Sequence, residues 1–298
     1  MTFQKLAVIG CGLMGGSFAL GLKQAGIVKN IAGFSASEKT RQRAQELKVI
    51  DVACDSVAQA VQGADIVLLA VPVSATRQSL EAIVPALSPN ALLMDVGSTK
   101  CDVVAAARQT MGERLSCFVP AHPIAGKEVA GIEHAEGDLY QNRRTILTPL
   151  PETGAKQMEQ AQAVWQALGS TVFTLTPEDH DATFAAVSHL PHLLAFAAVN
   201  GLMAQAQGED FLRMAGPGFR DFSRIAGSDP AVWRDILSAN QAEVLSQMGY
   251  FKQALTQLED ALKSHDTQTL QSLITKASHV RSHWKLQAKD ATNLASDA

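Results

Sequence analysis

Aromatic side chains are scarce in this chain, 5% of 298 residues, and charge of neither sign dominates: 25 Lys and Arg against 29 Asp and Glu leave a net charge of −4. Nucleic-acid binders present a basic field, often with stacking aromatics, so that class is excluded and a small metabolite is the expected partner. Cysteine is sparse too. Cys11, Cys54, Cys101 and Cys117 show neither C-x-x-C spacing nor a paired histidine pattern, which argues against a disulfide framework and a zinc site; no metal is expected and the thiols read as reduced packing residues. No charged n-region followed by an apolar h-region opens the chain, and no uninterrupted apolar run approaches the roughly 20 residues that span a bilayer. A soluble, cytoplasmic protein is therefore expected. No internal repeat is evident, and the length exceeds the about 100 to 200 residues of a typical domain, so two domains are the default.

What is present begins at Leu6-Ala7-Val8-Ile9-Gly10-Cys11-Gly12-Leu13-Met14-Gly15-Gly16-Ser17, an apolar β-like run feeding through G-x-G-x-x-G into a helix-like segment. Gly10 allows the sharp turn, Gly12 removes a side chain that would block a pyrophosphate, and Gly15 lets helix and strand pack closely. The phosphates would then sit on the N–H groups of the helix start, at Leu13 and Met14. A glycine turn in isolation is also compatible with an ordinary tight turn; the strand before it and the helix after it favour a dinucleotide site.

NAD binders usually carry Asp or Glu at the end of the second strand, about 20 residues further on, to hold the ribose 2′-hydroxyl. Ser35 stands there instead, followed by Ala36, Ser37, Glu38, Lys39, Thr40 and Arg41. A hydroxyl with Lys39 or Arg41 beside it suits a 2′-phosphate, so NADP is the preferred cofactor and NAD a possible one. The competing reading makes Lys39, Arg41 and Arg43 a solvated helix face, with Glu38 serving a ribose hydroxyl.

Short apolar runs recur at Leu6–Ile9, Ile31–Ser35, Ile66–Val71, Leu92–Val96, Cys117–Val119, Thr145–Leu147 and Thr171–Leu175, alternating with helix-like segments. The pattern predicts an α/β domain over residues 1–176, a doubly wound, mostly parallel sheet of Rossmann type with helices on both faces. Ligands belong at the carboxyl ends of such strands, where Val71 and Pro72, Ser98 and His122 fall. From residue 177 to 298 the β signal vanishes, and an all-α second domain is expected. Asp229-Pro230 reads as an N-cap and first-turn proline opening an apolar-periodic helix of about 35 residues to Ser264. Leu270, Leu273, Ile274, Ala277, Val280 and Trp284 form a stripe that needs a partner surface, and 290–298 reads as a frayed tail.

Four further segments are Asp95-Val-Gly-Ser98-Thr-Lys100, Ala121-His122-Pro-Ile-Ala-Gly126-Lys-Glu128, Ser188-His189-Leu-Pro-His192 and Gly218-Phe-Arg220-Asp221-Phe-Ser-Arg224. Together with the glycine motif, and over Val8 to about Asp235, the chain resembles the prephenate/arogenate (cyclohexadienyl) dehydrogenase family of tyrosine biosynthesis. The resemblance implies an N-terminal nucleotide-binding domain, a C-terminal helical dimerisation domain, and a homodimer through its helices. It implies oxidative decarboxylation: hydride leaves a cyclohexadienol carbon for NAD(P), a base takes the hydroxyl proton, and carbon dioxide departs as the ring aromatises.

His122 matches the family's catalytic histidine, and histidine suits a base needed near neutral pH; alone, a His before Pro at a strand end reads as a structural hydrogen-bonder. Ser98 matches a serine that hydrogen-bonds the substrate hydroxyl or the base, and would equally serve as a helix N-cap. Arg224 matches the substrate arginine, gripping a carboxylate, with Arg220 and Asp221 to contact and orient it; the bland alternative pairs it with Asp221 and Asp229 on the surface. His189 and His192 share a helix face, with Pro191 implying a kink or break, and His192 is the substrate-contacting choice. Glu128 lies close to the family's specificity acid and would favour the ammonium of arogenate over the keto group of prephenate, with Lys127 opposing it. His134, His180, His265, His279 and His283 read as surface or packing residues. The alternatives are a dehydrogenase of the 3-hydroxyisobutyrate or 6-phosphogluconate type, in which the His122 and His192 segments have no role, and a non-catalytic NAD(P)-binding sensor.

Overall fold

The computed structural model describes residues 2–127 and 129–284. Nine strands are found among them: β1 (Phe3–Ile9), β2 (Val28–Phe34), β3 (Val52–Ala53), β4 (Ile66–Leu69), β5 (Leu92–Asp95), β6 (Phe118–Val119), β7 (Ala121–Pro123), β8 (Arg144–Leu147) and β9 (Thr171–Thr174). The first six form one parallel sheet in the order 3-2-1-4-5-6, the Rossmann arrangement, with Leu6 of β1 opposite both Ile31 and Ile66. Between and after the strands lie α1 (Leu13–Gln24), α2 (Glu38–Glu46), α3 (Val57–Val61), α4 (Thr76–Ile83), α5 (Cys101–Thr110) and α6 (Ala155–Ala167).

Both faces of β1 are covered, which is why its composition is a run and not an alternation: Leu6 and Val8 join the core beneath α1 and α6, whereas Ala7 and Ile9 join the core beneath α3, α4 and α5. In the first core Phe18, Tyr140 and Trp165 meet edge to face, with centroids 5.1 to 6.4 Å apart. The Tyr140 hydroxyl donates to the Met14 carbonyl at 2.7 Å, tying the start of α1 to the body of the domain.

The expectation of a single sheet needs correction. β7, β8 and β9 form a separate sheet, in which β7 runs antiparallel to β8 and β8 parallel to β9. Pro120 separates β6 from β7 and supplies no N–H to a ladder, so pairing stops at Val119 and the chain turns to β8. His122 consequently lies within a strand, opposite Ile146, and not in the turn after one.

The remainder is helical: α7 (Pro177–Phe184), α8 (Leu190–Met203), α9 (Gly208–Arg213), α10 (Pro217–Ser223), α11 (Pro230–Ala239), α12 (Gln241–Lys263) and α13 (Thr267–His283). Three expectations change here. Pro191 breaks nothing, because a π turn at Ala185–His189 joins α7 to α8 as one helix, and the wider turn relieves the clash of a proline ring with the preceding carbonyl. The joined helix, Pro177–Met203, is long and apolar enough by length and mean hydropathy to cross a membrane; polar residues interrupt its apolar stretch, so a search for unbroken runs passes over it. Finally, the 35-residue helix divides at Asn240 (φ −103°, ψ 32°), whose buried side chain donates to the Asp181 carbonyl at 2.8 Å. Its start is as expected, since Asp229 accepts from the Ala231 and Val232 N–H groups. The reading of 290–298 as a tail lies outside the described residues.

Candidate active site

The nucleotide end is built by β1, β2 and β4. Gly10 has φ +105°, and a Cβ there would fall 2.1 Å from the Ala70 carbonyl oxygen, with Val71 next to it. At Gly15 a Cβ would meet the Gly10 carbonyl oxygen at 2.2 Å, so α1 packs on β1 closely enough to exclude any side chain. Gly12, the N-cap of α1, faces open space: nothing lies within 4 Å of a Cβ built on it. The first N–H groups of α1, from Leu13 and Met14 onward, have no intrahelical acceptor. A cleared cradle above helix N–H donors fits a pyrophosphate.

β2 ends at Phe34, which leaves Ser35 one residue past the strand. The Ser35 hydroxyl accepts from the Cys11 N–H at 2.9 Å, and its carbonyl accepts from the Arg41 guanidinium at 2.7 Å. Arg41 also lies 5.5 Å from the Phe34 ring centroid and 3.7 Å from an Asp55 oxygen. Of the two cations suggested for the 2′ position, Arg41 is thus held at Ser35 and Lys39 is exposed on α2. Pro72 caps the short 3₁₀ turn Val73–Ala75, and Ser74 in that turn donates to Asp235 of α11 at 2.7 Å, joining the two parts of the chain.

A cleft of about 530 Å³ opens between the β7–β8 sheet and the helices, lined by Ser98, His122, Pro123 to Gly126, Arg143, Phe184, Val187, Ser188, His189, His192, Arg224, Trp233 and Ile236. Its β side is locked from below. Buried Lys100 pairs with Asp95 and donates to the Ala121 carbonyl at 2.9 Å, and Asp95 accepts from the Ala121 N–H at 2.9 Å and the Gly97 N–H at 2.8 Å. One buried ion pair therefore holds both the Ser98 loop and the strand carrying His122. Ser98 is not a helix cap: α5 starts at Cys101, and Asp181, reaching across from α7, accepts from the Lys100 and Cys101 N–H groups at 2.8 Å each.

His122 Nδ1 lies 2.8 Å from His180 Nε2, and His180 Nδ1 lies 2.8 Å from Asp181 Oδ1. Burial, then the positive charge that His180, Lys100 and His189 would add, holds His122 well below the ordinary histidine value. Burial also lowers His180, against the pull of Asp181. For Asp181 burial acts upward, but the hydrogen bonds from His180, Cys101 and Lys100 outweigh it and keep the carboxyl below its usual range. His180, expected to be a surface or packing residue, is fully buried against His122; the signal available was a His-Asp pair inside an apolar helical stretch, which is weak. Asp181 and Asn240 were missed as well.

On the helical side His192 stacks on Trp233, centroids 3.5 Å apart and planes 19° apart, and its Nδ1–H donates to the Ser188 carbonyl at 2.9 Å. Burial lowers its pKa, and Arg224 adds to the effect. His189 is buried, accepts from Asn240 Nδ2 at 3.1 Å, and is lowered by burial to about 4. Arg224 begins the 3₁₀ segment Arg224–Gly227 and lines the cleft. Arg220 and Asp221 do not: they pair with each other at 3.1 Å, both exposed on α10. Arg143 and Trp233, not anticipated, line the cleft. Glu128 lies outside the described residues. His134, His265, His279 and His283 are exposed, as expected.

Residues 18–174 match the family model described as prephenate dehydrogenase, nucleotide-binding domain, and residues 176–276 the one described as prephenate dehydrogenase, dimerization domain. The chain belongs to the prephenate dehydrogenase family. It is 32% identical to a cyclohexadienyl dehydrogenase of Zymomonas mobilis over 89% of this chain and 90% of that one. Among solved structures, prephenate dehydrogenase from Aquifex aeolicus in complex with hydroxyphenyl propionate and NAD+ superposes with a TM-score of 0.88 at 34% identity, over 95% of this chain and 98% of that one. Arogenate dehydrogenase from Synechocystis superposes with a TM-score of 0.81 at 30% identity, over 94% and 99%. Members of the prephenate dehydrogenase family are NAD(P)-dependent oxidoreductases, and the glycine cradle found above has the cleared shape that a dinucleotide needs.

Proposed function

We propose that the protein oxidatively decarboxylates prephenate and arogenate in tyrosine biosynthesis, with His122 as base, Ser98 beside it, and Arg224 and Arg143 as cations for a substrate that carries two carboxylates. The observation that carries this reading is the meeting of all four side chains in one cleft. NAD(P), when bound, accepts the hydride. The chain does the rest. The lowered pKa leaves His122 unprotonated at neutral pH, as a proton acceptor must be. As the hydride leaves the carbinol carbon its hydroxyl becomes acidic, and the hydroxyl proton passes to His122; the guanidinium of Arg224 grips a carboxylate in a fixed position. His192, braced by Trp233 and Ser188, lines the same cleft with its Nδ1 already committed to the Ser188 carbonyl.

Three finer assignments belong to this reading. Ser35 with Arg41 in place of an acidic residue supports NADP over NAD. Acceptance of arogenate rests on Glu128 by sequence, and Glu128→Gln should lower arogenate use more than prephenate use. A homodimer through the helices is supported by the match to a dimerization domain and by apolar residues exposed along the helical part, Leu245, Leu255, Ile274 and Val280 among them; sedimentation equilibrium reads it directly. The deciding experiment is an initial-rate assay pairing prephenate or arogenate with NAD or NADP. Turnover of both substrates, faster with NADP, is expected. No turnover in any pairing would overturn the assignment in favour of a nucleotide sensor.

A further inference from the structure

We propose that His180 and Asp181 are positioning residues that fix the tautomer of His122, so that its Nδ1 carries the proton and its Nε2 lone pair is the base. The inference rests on His122 being the base. Direction is set from the far end of the chain of contacts. Asp181 accepts two backbone N–H groups at the start of α5, so it is an ionised acceptor and His180 Nδ1, 2.8 Å away, is the donor. Neutral His180 then has a lone pair on Nε2, and His122 Nδ1, 2.8 Å from it, is the N–H that donates. The remaining nitrogen of His122 is left with its lone pair.

The arrangement cannot slide to the other tautomer without cost. A proton on His122 Nε2 instead would set two nitrogen lone pairs 2.8 Å apart inside a buried site. When His122 takes the hydroxyl proton on Nε2 it becomes an imidazolium with both nitrogens protonated; the O–H bond breaks, one N–H bond forms, and no proton moves along the relay. His180 accepts from the new cation and Asp181 carries the balancing negative charge. The other charged and titratable groups facing this unit are His189 of the π turn, Cys101 and Asp102 at the start of α5 beside Asp181, Glu178 on α7, the Lys100–Asp95 pair beneath β7, and Arg143, His192 and Arg224 around the cleft. Asn240 completes the brace, because its side chain donates both to the carbonyl of Asp181 and to His189.

Three variants and one spectrum test this. His180→Leu removes the acceptor and should lower kcat at least about tenfold with the dinucleotide Kd unchanged, the pattern expected when a base is free to adopt the wrong tautomer. His180→Gln places an amide oxygen near the lost nitrogen and should recover most of that loss, which a merely space-filling role would not predict. His122→Asn is the control: if it keeps its activity, the base assignment itself fails, whereas an inactive His122→Asn beside an unimpaired His180→Leu overturns only the relay. Long-range ¹H–¹⁵N correlation of ¹⁵N-histidine-labelled wild-type protein, with the His122 signals identified by their loss in His122→Asn, needs no folded His180 variant. A protonated Nδ1 on His122 is expected; a protonated Nε2 would overturn the proposal.

Discussion

The two walls of the cleft are built differently. His122 lies on a strand paired to β8, above a buried ion pair and against two fully buried residues, His180 and Asp181. Arg224 lies on a four-residue 3₁₀ segment that follows a short helix, and it is exposed. Burial repeats the contrast at larger scale: the strands of the main sheet are covered on both faces, whereas among the described residues after 203 the only hydrophobic residues in the core are Ile236, Val244 and Ala261. Proton transfer demands a base fixed to within fractions of an ångström, and the rigid wall supplies it. Binding a carboxylate tolerates more freedom, and a long guanidinium on an exposed segment suffices. The walls should therefore separate kinetically.

His122→Asn gives the largest effect and the sharpest test of that separation. Loss of a general base costs about 10²- to 10⁴-fold in kcat, while KM and the dinucleotide Kd stay within a few-fold of wild type. Steady-state rates and a cofactor titration check it, and a variant impaired mainly in KM would erase the distinction between the walls. Arg224→Ala is the opposite case. Removing a two-point charged contact of about 3 kcal/mol raises KM about 10²-fold with a smaller change in kcat. An unchanged KM would move the carboxylate site toward Arg143.

Acid should weaken the same boundary. His122, His180, His189 and His192 all titrate below the ordinary histidine value, largely through burial, and His189 falls to about 4. Between the unfolded value near 6.5 and these lower folded values the unfolded chain binds more protons, so stability is lost as pH falls through that window and is fully present above it. For His189 alone, buried at 1% exposure, the loss by pH 4 is about 3 kcal/mol. Melting temperatures measured from pH 7.5 to 4.5 should fall steadily below 6.5, and His189→Asn should flatten the decline. A flat profile in the wild type would show that these rings are solvated.

Much of the rigid wall was legible. The run into G-x-G-x-x-G located β1 and α1, and the apolar runs located β2, β4 and β5, because strands buried on both faces leave no polar positions to confuse the pattern. The split into two sheets was not legible, since β6 and β7 are separated by one proline and pairing partners are not encoded in a run. His122, Ser98 and Arg224 came from the resemblance and do meet in one cleft. His180, Asp181, Asn240 and Arg143 did not; the first three meet partners that the fold brings in from 51 to 81 residues away. Arg220 and Asp221, read as neighbours that contact and orient Arg224, are exposed on α10, pair with each other and do not line the cleft.

The smallest predicted effect tests the one site read wholly from local sequence. Ser35 follows β2 and holds Arg41 at its carbonyl, which places a guanidinium, with Asp55 3.7 Å from it, at the end of the strand. Ser35→Asp introduces an acceptor suited to a ribose hydroxyl and repels a phosphate, and should shift the ratio of kcat/KM for NADP over NAD by roughly ten- to a hundredfold toward NAD. Since the substitution lies on the β2 end of the nucleotide site and away from the cleft, KM for the cyclohexadienol should stay put. If instead both cofactors weaken equally, the Cys11 N–H to Ser35 hydrogen bond matters for the shape of the glycine turn and not for selectivity, and Arg41 becomes the residue to change.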